Sequence, residues 1–123
     1  MKLSGQKILI VEDDHPLARM MKMELEANGY NVHTEAEGAR ALNYAQEQSP
    51  DLVILDLRLP DMSGYEVAKR LRRMCQPWAL PILMLTGLNE PVDQLRGFAF
   101  GADAYLTKPY EPSELLKTIS FLL

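Results

Sequence analysis

Three short runs constrain this chain more than anything else in it: Ile8-Leu9-Ile10-Val11, Leu52-Val53-Ile54-Leu55 and Ile82-Leu83-Met84-Leu85. A strand with one wet face alternates apolar and polar side chains, whereas a strand covered on both faces has no need to. None of these runs holds a polar residue, so each predicts a strand packed from both sides. Two more polar runs, "YNVHTE" and "DAYLT", read as outer strands, and the full set falls at 7–11, 30–35, 51–56, 81–86 and 103–107. Between them lie segments of helical spacing. Leu17, Met20, Met21 and Leu25 share one helix face, as do Val67, Leu71 and Met74, and Leu115, Ile119 and Leu122. The breaks carry turn residues: Asn28-Gly29, Ser49-Pro50, Gly64, Pro91 and Gly101.

Strand and helix alternating five times predict a parallel sheet with helices on both faces, an α/β flavodoxin-like (βα)5 three-layer sandwich. With the three apolar runs central and the two polar runs outermost, the expected strand order is 2-1-3-4-5. The 123 residues make one domain by length, with no repeat or linker-like stretch. A net charge of −4 weighs against direct nucleic-acid binding. The single cysteine, Cys75, excludes an internal disulfide and fits a reducing cytoplasm. No apolar run reaches the ~18–20 residues of a membrane helix. The final "SFLL" continues an apolar helical pattern, so the expectation is that 1–123 is cut from a longer protein, or that this end packs against something.

The first and third runs end in acids: Glu12 and Asp13 after one, Asp56 after the other. In an open parallel sheet, ligands bind beyond the carboxyl ends of the strands where the strand order reverses, here between runs one and three. Two unit charges about 4 Å apart repel by roughly 4 kcal/mol at an effective dielectric of about 20. Three converging carboxylates must therefore hold protons or hold a cation. An all-oxygen set suits Mg²⁺ or Mn²⁺, with Ca²⁺ as a further substitute, and does not suit zinc. Asp14, followed by Pro16, reads as the cap of the first helix. Capping does not explain Asp56, which precedes "LRLP" and no helix. Run four ends at Thr86 and run five at Lys108, on the same sheet edge. Acid, metal, hydroxyl and lysine together match a phosphoryl-transfer site, where the work is positioning and charge neutralisation.

The combination "ILIVEDD", "DLVILDLRLPDMSG", "ILMLTG" and "GADAYLTKPY" resembles the response-regulator receiver domains of two-component signalling, of the chemotaxis-regulator type, over essentially the whole chain. The resemblance implies that Asp56 accepts a phosphoryl group from a histidine kinase or a phosphotransfer protein. It implies Mg²⁺ held by Asp13, Asp56 and the backbone carbonyl of Arg58, with Glu12 acting through water. It makes Thr86 the switch hydroxyl, Lys108 the phosphoryl-binding lysine and Tyr105 the switch aromatic. Gly87 is the small residue that leaves access to the acceptor, and the Lys108-Pro109 bond is expected to be cis. Phosphorylation would shift the surface of helix four, strand five and helix five, which controls an output domain or protein and is a possible homodimer face. Relatives that dimerise there often have aspartate at the position of Ala104 and arginine where Thr118 stands, so the chain departs from that pattern. Arg58 and Leu88 can overhang the site, and Trp78, the only tryptophan, precedes the fourth strand.

Two other functions compete. An aspartyl-phosphate hydrolase on a similar sheet needs a second aspartate two residues after the nucleophile, and Arg58 stands there. A phosphorylation-independent interaction module on the same fold would have shed the acceptor, the lysine or an acid of the pair, and all are present. The domain is therefore expected to act on no separate substrate, catalysing only its own phosphorylation and dephosphorylation. His15 and His33 read as solvated residues, and the methionines 20, 21, 23 and 74 as packing residues. The set Leu115, Leu116, Ile119, Leu122 and Leu123 is wider than one core face needs.

Overall fold

Among residues 5–74 and 80–123, which the computed structural model describes, five strands alternate with five helices. They run β1 (Lys7–Val11), α1 (His15–Glu26), β2 (Asn31–Glu35), α2 (Gly38–Gln48), β3 (Leu52–Leu55) and α3 (Gly64–Met74), then β4 (Ile82–Thr86), α4 (Pro91–Ala99), β5 (Ala104–Thr107) and α5 (Pro112–Leu122). All the pairings are parallel and the order is β2-β1-β3-β4-β5, as the run composition required. Cys75 and Trp78 lie outside the described residues.

The central strands β1, β3 and β4 are buried almost throughout, and their alternate residues feed two cores. Leu9, Val11, Val53, Leu55, Ile82 and Met84 face α2 and α3. Ile8, Ile10, Leu52, Ile54, Leu83 and Leu85 face α1 and α5. The period of two along a pleated strand thus explains why no position in these runs tolerates a polar side chain.

Local signals act as read. Asp14 caps α1, its Oδ1 accepting the Leu17 N–H at 3.1 Å, and Pro16 sits in the first turn. Gly29 closes the α1–β2 turn at φ 91°, a left-handed value that glycine adopts without a Cβ penalty. The helix faces hold with two exceptions, Met20 and Met74, which are exposed while Met21, Leu25, Val67 and Leu71 are buried; Met23, read as a packing residue, is exposed too. In α5, Leu115 and Ile119 are core residues, Leu116 and Leu122 pack against that core, and Phe121 stands out at 88% exposure.

The pole of the molecule opposite the strand ends is closed by Arg72. Its guanidinium donates to the carbonyls of Leu80 and Gly101 and to the Asp103 carboxylate, which also accepts the Ile82 N–H at 2.8 Å. The helix that ends at this pole, α4, is thinly attached. Gly97 is its one buried residue, while Val92, Leu95 and Phe98 face solvent.

Candidate functional site

Backbone pairing continues one residue past the strands and fixes where the functional side chains start. The Glu12 N–H donates to Glu35 O at 3.0 Å, Asp56 N–H to Val11 O at 3.0 Å, and Lys108 N–H to Thr86 O at 2.8 Å. Each residue is thus the first beyond its strand, with its main chain held by the neighbouring strand. Three side chains from β1, β3 and β5 are brought to one edge of the sheet.

There the Lys108 ammonium bridges two carboxylates, at 2.6 Å from Glu12 Oε1 and 2.9 Å from Asp56 Oδ2. Glu12 and Asp56 are buried and Asp13 is exposed. Carboxylate oxygens of Glu12, Asp13 and Asp56 all lie within 4.8 Å of one another. The second Glu12 oxygen accepts the Asp14 N–H at 3.2 Å, and Asp56 Oδ1 accepts the Arg58 N–H at 3.2 Å.

Burial raises the Glu12 carboxyl to about 7, and the nearby Asp56 charge adds to this against the hydrogen bond from Lys108. Burial also pushes Asp56 up, but hydrogen bonds from Lys108 and Arg58 outweigh it and hold the carboxyl below the usual aspartate value. Burial disfavours the Lys108 cation, yet its bonds to Asp56 and Glu12 win, and its ammonium is held above the ordinary lysine value. The two acids of one site are thereby pushed in opposite directions, Glu12 up by burial and Asp56 down by its hydrogen bonds.

Three carboxylates against one ammonium leave a formal excess of two negative charges. The donors are all oxygen, and one of them, Asp13, reaches solvent. A hard divalent cation such as Mg²⁺ fits this set in charge and in ligand type.

Thr86 is fully buried at the tip of β4, and its Oγ1 accepts the Leu88 N–H at 3.4 Å. Tyr105 is half-buried; its hydroxyl donates to the Leu88 carbonyl at 2.7 Å. Burial raises its phenol to about 12, with the Tyr65, Asp93 and Asp56 charges adding to this. Thr86 and Tyr105 therefore hold the same short turn, one at the N–H of Leu88 and the other at its carbonyl. The Lys108-Pro109 bond is cis, and Gly87 is exposed with open space where a Cβ would stand.

Residues 8–120 match the family model described as the response regulator receiver domain. The chain belongs to the receiver-domain family. Along this receiver's sequence it is 41% identical over 119 residues to the alkaline phosphatase synthesis transcriptional regulatory protein PhoP of Bacillus subtilis, covering 97% of this chain and 49% of that protein. It is 42% identical over 117 residues to the phosphate regulon transcriptional regulatory protein PhoB of Rhizobium meliloti, covering 95% and 52%. The receiver thus spans about half the length of those regulators. Among solved structures it is similar to the chemotaxis protein CheY4 of Vibrio cholerae, with a TM-score of 0.91, 38% identity, and coverage of 98% of this chain and 100% of that one. It is a receiver domain of two-component response regulators, a signalling module of a kind that is not generally an enzyme. Among the described residues no helix is long and apolar enough to cross a membrane.

Of the receiver residues expected from sequence, the structure brings Glu12, Asp13, Asp56 and Lys108 into one cluster. Thr86 and Tyr105 meet at Leu88 beside it. Arg58 enters through its N–H on Asp56 and has an exposed side chain. His33 keeps a partly solvated side chain on β2, and adds partners that the sequence did not mark: its ring stacks on Tyr44 with centroids 3.9 Å apart, and its Nε2 lies 2.6 Å from Glu35 Oε2. Sequence reasoning passed over Asp61. Its carboxylate accepts the N–H groups of Gly38 and Ala39 at 2.8 and 2.9 Å, which hold it below the usual aspartate value. The partners lie more than twenty residues upstream, so no local pattern marks the contact.

Proposed function

We propose that Asp56 is the phosphoryl acceptor of this receiver and that Thr86, Tyr105 and the α4–β5–α5 surface carry the signal onward. The reading is supported above all by the Asp56 carboxylate, buried and ionised, with Lys108 on one oxygen and the Arg58 N–H on the other. In the transfer, an Asp56 oxygen attacks the phosphorus of a phosphohistidine on a kinase or phosphotransfer protein. A P–O bond forms, the P–N bond breaks, and the imidazole leaves. Lys108 offsets the charge on the phosphoryl oxygens. Asp13, Asp56 and the Arg58 carbonyl would hold Mg²⁺, with Glu12 acting through water; when bound, the ion neutralises the charge that gathers on the phosphoryl group. Gly87 leaves the acceptor open to the donor, and Pro109 shapes the turn after Lys108.

The acyl phosphate adds charge and strong acceptor oxygens. The Thr86 hydroxyl turns to it and releases the Leu88 N–H. Tyr105 then loses its reason to stay on the Leu88 carbonyl and turns inward. The shift biases a two-state surface over α4, β5 and α5, read by an output domain or protein, or by a second copy across Val92, Leu95 and Phe98. The domain works in the cytoplasm, contacts no nucleic acid itself, and acts on no substrate beyond Asp56.

The test is intact mass after incubation with Mg²⁺ and a small phosphodonor, beside Asp56→Asn. A phosphoryl adduct that needs Mg²⁺ and is missing from the variant supports the reading. If neither the donor nor beryllofluoride modifies the wild type, the domain is a phosphorylation-independent interaction module.

A further inference from the structure

The loop between β3 and α3 is held more tightly than a surface connection needs. At its base, Gly64 N–H donates to Leu57 O at 2.9 Å, and Arg58 bridges Ser63 across the loop. A Cβ on Gly64 would stand 2.3 Å from the Asp56 carbonyl oxygen, so only glycine lets α3 start this close to the acceptor's main chain. At its tip, Asp61 spans the first two N–H groups of α2, and Met62 packs where a Cβ on Gly38 would stand 2.7 Å from its Cγ. The first turn of any helix has N–H groups in want of an acceptor. The residue best placed to supply one, Glu37, makes no side-chain cap bond. A serine or aspartate at that place would cap α2 locally. The acceptor comes instead from the loop that follows Asp56.

We propose that Asp61 is a positioning residue for the acceptor: by fastening the β3–α3 loop to the first turn of α2, it fixes Arg58 and, through the Arg58 N–H, the Asp56 carboxylate. The inference rests on the reading of Asp56 as acceptor and goes beyond it, since Asp61 touches neither the phosphoryl group nor the cation. Removing a partner that bonds a metal ligand directly lowers metal affinity or activity by about tenfold to a hundredfold; Asp61 acts one step further out, through the loop, so the lower end of that range is expected.

The variants are Asp61→Ala, Asp61→Asn and the double variant Asp61→Ala with Glu37→Ser. Each is measured for Mg²⁺ affinity by calorimetry, for the rate of Asp56 phosphorylation by a small phosphodonor, and for its thermal midpoint. Asp61→Ala is expected to weaken Mg²⁺ binding and slow phosphorylation by about tenfold. Asp61→Asn keeps one acceptor oxygen and falls between. In the double variant the new serine caps α2, so the thermal midpoint returns while Mg²⁺ affinity and rate stay low. Normal affinity and rate in Asp61→Ala overturn the inference and leave Asp56 as acceptor. Full recovery in the double variant also overturns it, because Asp61 would then be a helix cap and nothing more. A wild type that neither binds Mg²⁺ nor takes up the phosphoryl group sinks the parent reading and this one together.

Discussion

The two halves of this sheet edge are built to different standards. On the β1–β3 side, Glu12 and Asp56 rise from strands with no solvent-facing residue in their last three positions, and loop, helix and lysine hold them at several points. On the β4–β5 side, every residue of β5 is only partly buried, and Gly97 is the one buried residue of α4. Parts with few buried apolar contacts open at low free energy, while densely packed strands open only with the whole domain. A phosphoryl-accepting site needs fixed atoms, and a surface that reports on it needs two arrangements of similar energy. The molecule separates these demands by how much each half is buried.

The sharpest way to break that contrast uses two glycines. Gly64→Ala forces a Cβ into the main chain of Asp56 and Leu57 and is expected to cost about 3 kcal/mol, with Mg²⁺ binding lost. Gly97→Ala first meets side chains, those of Met84 and Tyr105, and no main chain nearer than they are, and is expected to cost about 1 kcal/mol while displacing α4. Equal losses by urea unfolding would erase the distinction. Lys108→Met comes next. It strips the shared cation from two buried carboxylates and is expected to destabilise the metal-free protein by about 1–3 kcal/mol. Mg²⁺ should then raise the thermal midpoint of the variant by more than that of the wild type; a smaller rise would mean that Lys108 does not offset the carboxylate charge.

The pH dependence sharpens the rigid side. Glu12 is raised from 4.5 to about 7, so the folded metal-free protein binds a proton there that the unfolded chain releases between those values. This group's contribution to stability therefore falls as pH rises through that window. A cation must displace the same proton, so Mg²⁺ affinity should climb about tenfold from about pH 6 to about pH 8. Calorimetry on Glu12→Gln should show a flatter profile. The smallest effect is expected on the loose side: Leu95→Ala on α4 should stay within about 0.5 kcal/mol by thermal unfolding, since Leu95 is largely exposed.

Strand positions and order were legible because each central strand is a pure apolar run and each edge strand is not. Glu12 and Asp56 were legible because an acid ending a buried run is costly and must be used, and Thr86 and Lys108 because they end the next two runs on the same sheet edge. Asp61 was not, since its helix-capping role spans two loops that only the folded sheet brings together. Nor was the exposure of Met20 and Met23: a helix pattern marks which side chains can face inward, and the width of the contact decides how many do. The stacking of His33 on Tyr44 belongs to the same class, a pairing of side chains from neighbouring elements with no trace in either.

The Arg72 cluster at the far pole has a mechanical consequence. By gripping the Gly101 carbonyl just after α4, it gives that helix a fulcrum at its lower end, while its upper end rests on two phenols, the Tyr65 hydroxyl donating to the Asp93 carbonyl at 3.3 Å and the Tyr105 hydroxyl to the Leu88 carbonyl at 2.7 Å. A nine-residue helix is about 13 Å long, so a tilt of about 5° carries its first turn sideways by about 1 Å. A small change at the Leu88 turn is thereby magnified along a lever whose exposed arm is lined by Val92 and Leu95, the side chains a partner would feel first.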